Sequence, residues 1–537
     1  MMTWVKLGWI GCLVGWASVA LGADAPIQRA AQARLQLKPL EGSELFDGFA
    51  VNLDGSWMDP GEAKDAGRDV SFPIDVWRWC EATIRFTPRE DGRVELHLSG
   101  PWEEAEPGVV WRQEVLWDDV SAEGTDLVNG DFSKGVEGWT SPWSAYPEKN
   151  DWPLEGEARG ASWLGRPLVQ ELELKKDRPV VLHFEAMAAL PKGERKMVRM
   201  DEPTPAHAVA EKLVRGVNLG NCWEAPVDSW GVTFGVEDID RIADAGFDHI
   251  RVPVGWHHRW EDGEISPKLL DALEPVMRRA LQRGLWVMLD WHGYAELTAE
   301  PDKHEGAFVE GWEKISRHFR DWPKELMFEL LNEPAERLQG ERLNRLYEKT
   351  LKVVRAENPG RMVVLDPGRW ASADELGQLW IPEDEKRVMV SFHAYDPFPF
   401  THQQASWVHY EDVREVRFPG PPRDARSAPS SHPELQAWFR DYSDPTVEPN
   451  PSSLATVTRL LEKAREWSQV FGRPVHLGEF GCVRQADPES RSRYARGVRS
   501  AAEERKIPWC WWEWKVGFGV VDLETWKPYL LDELTGE

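Results

Sequence analysis

The sequence predicts an α/β protein, a (β/α)8 barrel preceded by an all-β sandwich. Three observations carry that prediction. From Lys212 to Glu537, apolar runs of strand length alternate with helical stretches. Such alternation implies a parallel sheet, and eight runs imply one closed on itself. Between Gln36 and Met200 helical periodicity is missing, and short alternating strands are separated by turn residues. Most of the C-terminal runs end in a polar or aromatic residue, where a barrel of this kind carries its chemistry.

Met1–Gly22 reads as a secretory signal, with Lys6, the apolar stretch Leu7–Ala20 and a small-x-small site at Ala20-Leu21-Gly22. It is too short to span a bilayer. The mature chain is therefore expected to be secreted or periplasmic, soluble and monomeric. Cys80, Cys222, Cys482 and Cys510 follow the signal. They are too few for a disulfide framework, and none forms the close pair of a CxxC-type zinc site. No metal and no cofactor are expected.

Aspartate and glutamate outnumber lysine and arginine by 91 to 64, for a formal charge of −27. That argues against nucleic acid and against an anionic membrane surface as partner. The chain carries 31 Trp against 8 Tyr. Indole is flat and apolar with one polar N–H, so it suits the apolar face of a sugar ring, although many of these residues must fill core.

In the first domain (36–200) the short strands include Ala82–Phe86 with Val94–Leu98 and Val169–Leu174 with Val180–Ala186, separated by turn residues such as Asp91–Arg93 and Leu190–Glu194. The phrase LVNGDFSKGVEGW at Leu127–Trp139 resembles the opening of jelly-roll carbohydrate-binding modules, and LWDDVSAEG at Leu116–Gly124 resembles their closing strand. The order is reversed here, which implies a permuted sandwich or two abutting incomplete modules, the permuted sandwich being preferred, and a module that binds glycan or serves as a structural neighbour. Trp77, Trp79, Trp102, Trp139 and Trp143 are candidates for glycan contact, and each would equally fill core. Residues 201–211, polar and Pro-containing, read as a linker.

The barrel (212–537) has runs at Val214–Leu219, Ile250–Val254, Trp286–Trp291, Leu326–Leu331, Met362–Leu365, Val388–Phe392, Val475–Gly478 and Cys510–Trp514. Each of the first four is followed by a helical stretch. Alternation breaks at an insertion near 403–453, rich in Pro, Ser and Arg. It reads as a non-core excursion that covers part of the cleft or is disordered.

The chemistry gathers at LMFELLNEP, Leu326–Pro334. An apolar run ends in Asn332 and Glu333, and Pro334 stops the strand. Glu479 ends a second run, VHLGEF. Two glutamates at the ends of two parallel strands are what glycoside hydrolysis needs, one to protonate the leaving oxygen and one to attack. Singly, each glutamate would also serve as a strand cap. Arg251 lies in the second strand, His292 ends the third, His393 and Tyr395 end the sixth, and Trp512 lies in the eighth. Alone, Arg251 would suit a buried ion pair, the histidines and Trp512 a packed core. Metal ligation is disfavoured, because no H-x-H pair ends an early strand.

Taken in order, RGVNLGNCWEAP, HIRVP, LDWHGY, LLNEP, SFHAYDPFPFTHQ, LGEFGCVRQADPESR and WWEWKVGFGVVD resemble glycoside hydrolase family 5, in particular the Thermotoga-type cellulases and cellulase–mannanases. The resemblance covers nearly all of 212–537. It implies that Glu333 is the acid/base and Glu479 the nucleophile of a retaining enzyme. It places Arg251 and Tyr395 beside Glu479, favouring its charged form, and Asn332 at the 2-hydroxyl of the attacked sugar. His292 and His393 would bind hydroxyls or orient the carboxyls, and Trp512 would lie under the ring. Asn218, Glu224 and Trp407 match cleft positions. Gly293 stands where close relatives often carry a second histidine, which removes one substrate contact. The expected activity is that of an endo-β-1,4-glucanase, with β-mannan or glucomannan cleavage, or exo- or β-1,3-glucan cleavage, as alternatives. A glycan-binding protein on a dead barrel would have lost a carboxylate or Arg251, and all are present.

Overall fold

The computed structural model describes residues 32–40, 45–46, 50–53, 56–58, 69–100, 102–106, 109–112, 114–134, 137–140, 160–162, 167–189, 195, 197–226, 229–522 and 524–536. The signal-like Met1–Gly22, the turn Leu190–Glu194 and Trp143 lie outside them. The chain divides into two compact units, one holding the strands before residue 190 and one the residues from Met197 onward.

The second unit is a closed parallel barrel of eight strands. They are β1 (Arg215–Asn218), β2 (His249–Val254), β3 (Trp286–Trp291), β4 (Leu326–Glu329), β5 (Val363–Leu365), β6 (Val388–His393), β7 (Val475–Phe480) and β8 (Trp509–Trp511). Their near-continuous apolar runs follow from burial on both faces, and every residue of β2, β3, β4, β6 and β7 is buried. The amino ends of the strands are filled by Leu213, Trp286, Met288, Met327, Met362, Val364 and Met389, with Ala206. Ala206 belongs to a helix, Pro205–Ala210, inside the stretch read as linker. The composition of that stretch is polar, but Ala206, Val209 and Ala210 form one apolar side that closes this end of the barrel.

The insertion also differs from a non-core excursion. It contains helix Gln436–Ser443, and its Val413, Val416, Phe418, Phe439 and Tyr442 are buried. Pro and Arg dominate its composition and mask these scattered apolar anchors. Gln403 ties it together, accepting from the Val416 amide and donating to the carbonyls of Phe400 and Val416.

The first unit has a four-stranded and a six-stranded antiparallel sheet. The two strands of each pair read from the sequence fall in different sheets. Gly92–Ser99 pairs with Leu168–Leu174 and Gln32–Pro39, whereas Cys80–Phe86 pairs with Val180–Ala188. The domain thus begins at or before Gln32. The start of the phrase Leu127–Trp139 packs on the strand Val115–Glu123, whose Val120 amide donates to the Gly130 carbonyl. Phe132 stacks on Trp139 at 5.4 Å, and the Trp139 indole donates to the Asn129 carbonyl. Trp139 and Trp77 are core residues, which removes both as glycan contacts. Trp79 is half-buried. Cys80, Cys222, Cys482 and Cys510 are free thiols.

Candidate active site

Strand register assembles the site. Asn218 of β1 lies opposite Arg251 of β2, Asp290 of β3 opposite Glu329 of β4, and His393 of β6 opposite Glu479 of β7. Side chains of one parity point into the barrel, so these residues share its carboxyl end.

Arg251 is the hub. Its guanidinium is fully buried and donates to both oxygens of Glu329, each at 2.7 Å, to Asn218 Oδ1 at 3.0 Å, to Asn332 Oδ1 at 2.7 Å and to Glu479 Oε1 at 2.7 Å. Asp290 lies 3.2 Å away. Burial alone would weaken its charge, but Asp290, Glu329 and Glu479 outweigh burial and hold its pKa well above the usual value. Such a buried cation persists only because its donors are matched by fixed acceptors.

Glu479 accepts on both oxygens, from Arg251 and, at 2.7 Å, from the Tyr395 hydroxyl. Glu333 is placed differently. It sits past the end of β4 at φ +49°, a strained conformation for a residue with a Cβ. Its amide donates to Asp366 Oδ2 at 3.0 Å, which fixes the turn. Its Oε1 lies 2.8 Å from His393 Nδ1. Burial pushes the Glu333 carboxyl up to about 7, against the pull of His292 and Arg251. A Glu333 oxygen, a His393 ring nitrogen and a Glu479 oxygen all lie within 4.8 Å of one another.

Both site histidines are held neutral. Burial lowers His292 and His393 to about 4. His292 Nδ1 is 2.7 Å from Asp290, and its ring stacks on Trp512 at 5.4 Å and 13°. Asn332 gives its amide oxygen to Arg251, which leaves its Nδ2 with no protein partner among the described residues. Asn218 is fully buried and donates to the carbonyls of Gly478 and Trp511, so it supports Arg251 rather than facing the cleft. Glu224 lies in the loop after β1, where it accepts from the amides of Asn221 and Cys222, and burial raises it to about 8. Trp407 is 41% exposed, its ring 6.1 Å from Phe518 and 6.4 Å from His402.

Four acids at this end of the barrel were not singled out in the sequence. Asp290, Glu329 and Asp366 surround Arg251 and Glu333, and Glu513 accepts from the Phe518 amide and the Asn221 side chain. Burial raises Asp290 and Asp366 well above the carboxylate range, and Glu513 to about 8. Glu329 runs the other way, because Arg251 overrides its burial. The available signal was an acid inside or just after an apolar run, as in VMLDW, LMFEL and VVLDP. Chemically, the site pairs Glu333, a carboxyl raised to about 7, with Glu479, which accepts from a cation and a phenol.

Comparison with known proteins gives the family. A family model described as cellulase (glycosyl hydrolase family 5) matches residues 211–517. Endoglucanase H of Acetivibrio thermocellus is 28% identical over 319 residues, 58% of this chain and 31% of that protein. Endoglucanase 1 of Ruminococcus albus is 26% identical over 61% of this chain and 80% of its own length. Among solved structures, a hyperthermophilic endo-β-1,4-glucanase in complex with substrate is 33% identical, with a TM-score of 0.53, over 62% of this chain and 99% of that one. Thermotoga maritima Cel5A in complex with mannotriose is 31% identical over 62% of this chain and 99% of that one, with a TM-score of 0.53. The match spans more than half of the chain and contains the whole carboxylate cluster, and the protein accordingly belongs to glycoside hydrolase family 5 and is a glycoside hydrolase.

Proposed function

We propose that the chain is a retaining endo-β-1,4-glucanase, with Glu333 as acid/base and Glu479 as nucleophile. The observation that carries this reading is the approach of the two carboxylates within 4.8 Å. Retaining enzymes hold their carboxyls about 5–5.5 Å apart, whereas inverting ones leave room for a water between them. The unequal surroundings support the division of labour. Glu333 keeps a proton to give to the leaving oxygen, and Glu479, bonded to Arg251 and Tyr395, is aimed at the anomeric carbon. Attack by Glu479 forms a glycosyl-enzyme bond as the leaving oxygen takes the Glu333 proton. Glu333 then removes a proton from water, which displaces Glu479 and restores both groups. Asn332 Nδ2 is available to the 2-hydroxyl, and Trp512, stacked on His292, forms a ring platform.

The relatives support a β-1,4-glucan, since those compared above are endoglucanases. β-Mannan is the second reading, favoured by the mannotriose complex of the Thermotoga maritima relative. The enzyme acts after export, and the N-terminal unit, with Trp79, Trp102 and Trp143 as its remaining candidate contacts, is a glycan-binding or supporting module. The test is product release from carboxymethyl-cellulose, barley glucan, glucomannan and laminarin, with Glu333→Gln and Glu479→Gln beside the wild type. Cutting of a β-1,4 polymer and a loss of at least about 10³-fold in both variants is expected. Glu333→Gln should retain cleavage of an aryl glycoside whose leaving group needs no proton. Wild type that cuts none of the four polymers overturns the reading.

A further inference from the structure

At the opposite, amino end of the strands lies a group of side chains that the reaction does not use. His249 opens β2, His476 is the second residue of β7 and Cys510 the middle residue of β8. All three are fully buried. His249 has the same parity as Arg251, so it points into the barrel. Its Nε2 lies 3.1 Å from His476 Nε2. A ring nitrogen of each histidine and Cys510 Sγ all lie within 4.8 Å of one another. Two further residues frame this group. A Cβ at Gly216 of β1 would come 2.3 Å from His249 Nε2 and 2.4 Å from Cys510 Sγ, so glycine is what lets both atoms approach that strand together. Asp248 Oδ1 lies 2.5 Å from His249 Nδ1. The Asp248 carboxylate accepts from Nδ1, which leaves Nε2 as the ring atom that faces His476, the arrangement seen behind metal-bound imidazoles.

We propose that His249, His476 and Cys510 form a buried site for a thiophilic metal ion, with copper favoured over zinc. Two nitrogens 3.1 Å apart, each about 2.0–2.1 Å from a metal, subtend an angle of about 100°, compatible with trigonal or tetrahedral ligation. Thiolate and imidazole together select copper or zinc over hard cations. No fourth His, Cys, Asp or Glu joins the group among the described residues. Structural zinc wants four ligands, whereas two imidazoles and one thiolate in a dry pocket suit copper. The ion would tie β2, β7 and β8 together at the end of the barrel remote from the carboxylates, where residues serve stability. Linear spacing hides the group, because the three ligands meet only when the barrel closes.

The test refolds the full chain with Cu²⁺ or with Zn²⁺, removes loose metal by dialysis and counts what remains. One equivalent is expected in the wild type, and its loss in Cys510→Ser and in His476→Leu, with turnover of soluble glucan reporting that the variants fold. The copper-loaded wild type should show an intense thiolate-to-Cu²⁺ band in the visible. X-ray absorption should show one sulfur and two nitrogen neighbours, which stands even where a variant fails to fold. Zinc retained in place of copper, with a sulfur neighbour at about 2.3 Å, keeps the site and overturns the preference for copper. No retained equivalent of either metal, or an equivalent undiminished in Cys510→Ser, overturns the site and leaves a buried hydrogen-bonded triad.

Discussion

Burial raises the Glu333 carboxyl, and its value near 7 sets a limit on the reaction. The proposed general acid must be protonated to act, so under that proposal kcat/KM should fall about tenfold per pH unit above about 7. His393 is neutral down to about 4, so it does not repel a charged group over that range. A pH–rate profile whose alkaline limb sits near 5 would show that a different group delivers the proton. The two glutamates were legible because each ends an apolar run, a position with no packing reason for a charge. Asp290, Glu329 and Asp366 were overlooked although they answer to the same pattern. The missing step was to count charge. One buried arginine that serves Glu479 also needs counter-charge of its own, and Glu329 supplies it through two bonds at 2.7 Å.

Among the elements, β6 and β7 carry the most consequence, because their facing ends hold His393 and Glu479. Gly478 lies between them. A Cβ there would come 2.3 Å from Ser391 Oγ and 2.9 Å from His393 Nε2. Since His393 contacts Glu333, Gly478→Ala should displace the acid and cost about 10²-fold in kcat, with a smaller change in KM. Steady-state kinetics on a soluble β-glucan would check this, and unchanged kcat would mean that His393 does not position Glu333. All eight barrel strands were readable, since burial on both faces leaves a continuous apolar signature. The sandwich was readable only as single strands. Its partners are long-range, as in the pairing of Val180 with Phe86, and nothing local specifies which strand lies beside which. The insertion failed for a related reason, because Val416, Phe418 and Tyr442 are anchors without periodicity.

For the molecule as a whole, the boundary of the catalytic unit follows from what closes the barrel. Met200 donates its amide to the Phe471 carbonyl, and Ala206 is buried against Leu213, Trp286 and the strand starts. A chain beginning at Met197 should therefore keep its thermal midpoint, whereas one beginning at Lys212 should lose about 2 kcal/mol of stability as that end is laid bare. Thermal melts of the two truncations would decide, and equal midpoints would mean that the helix Pro205–Ala210 adds nothing. The same helix has a bearing on how the enzyme ages. The floor beneath it holds Met288, Met327, Met362 and Met389, each almost wholly shielded. Thioethers take up oxygen readily, and a sulfoxide there would force a dipole into packing that has no partner for it. A nick in the segment before Lys212 would thus do its damage slowly, by admitting peroxide to four sulfurs rather than by disturbing the carboxylates at the other end.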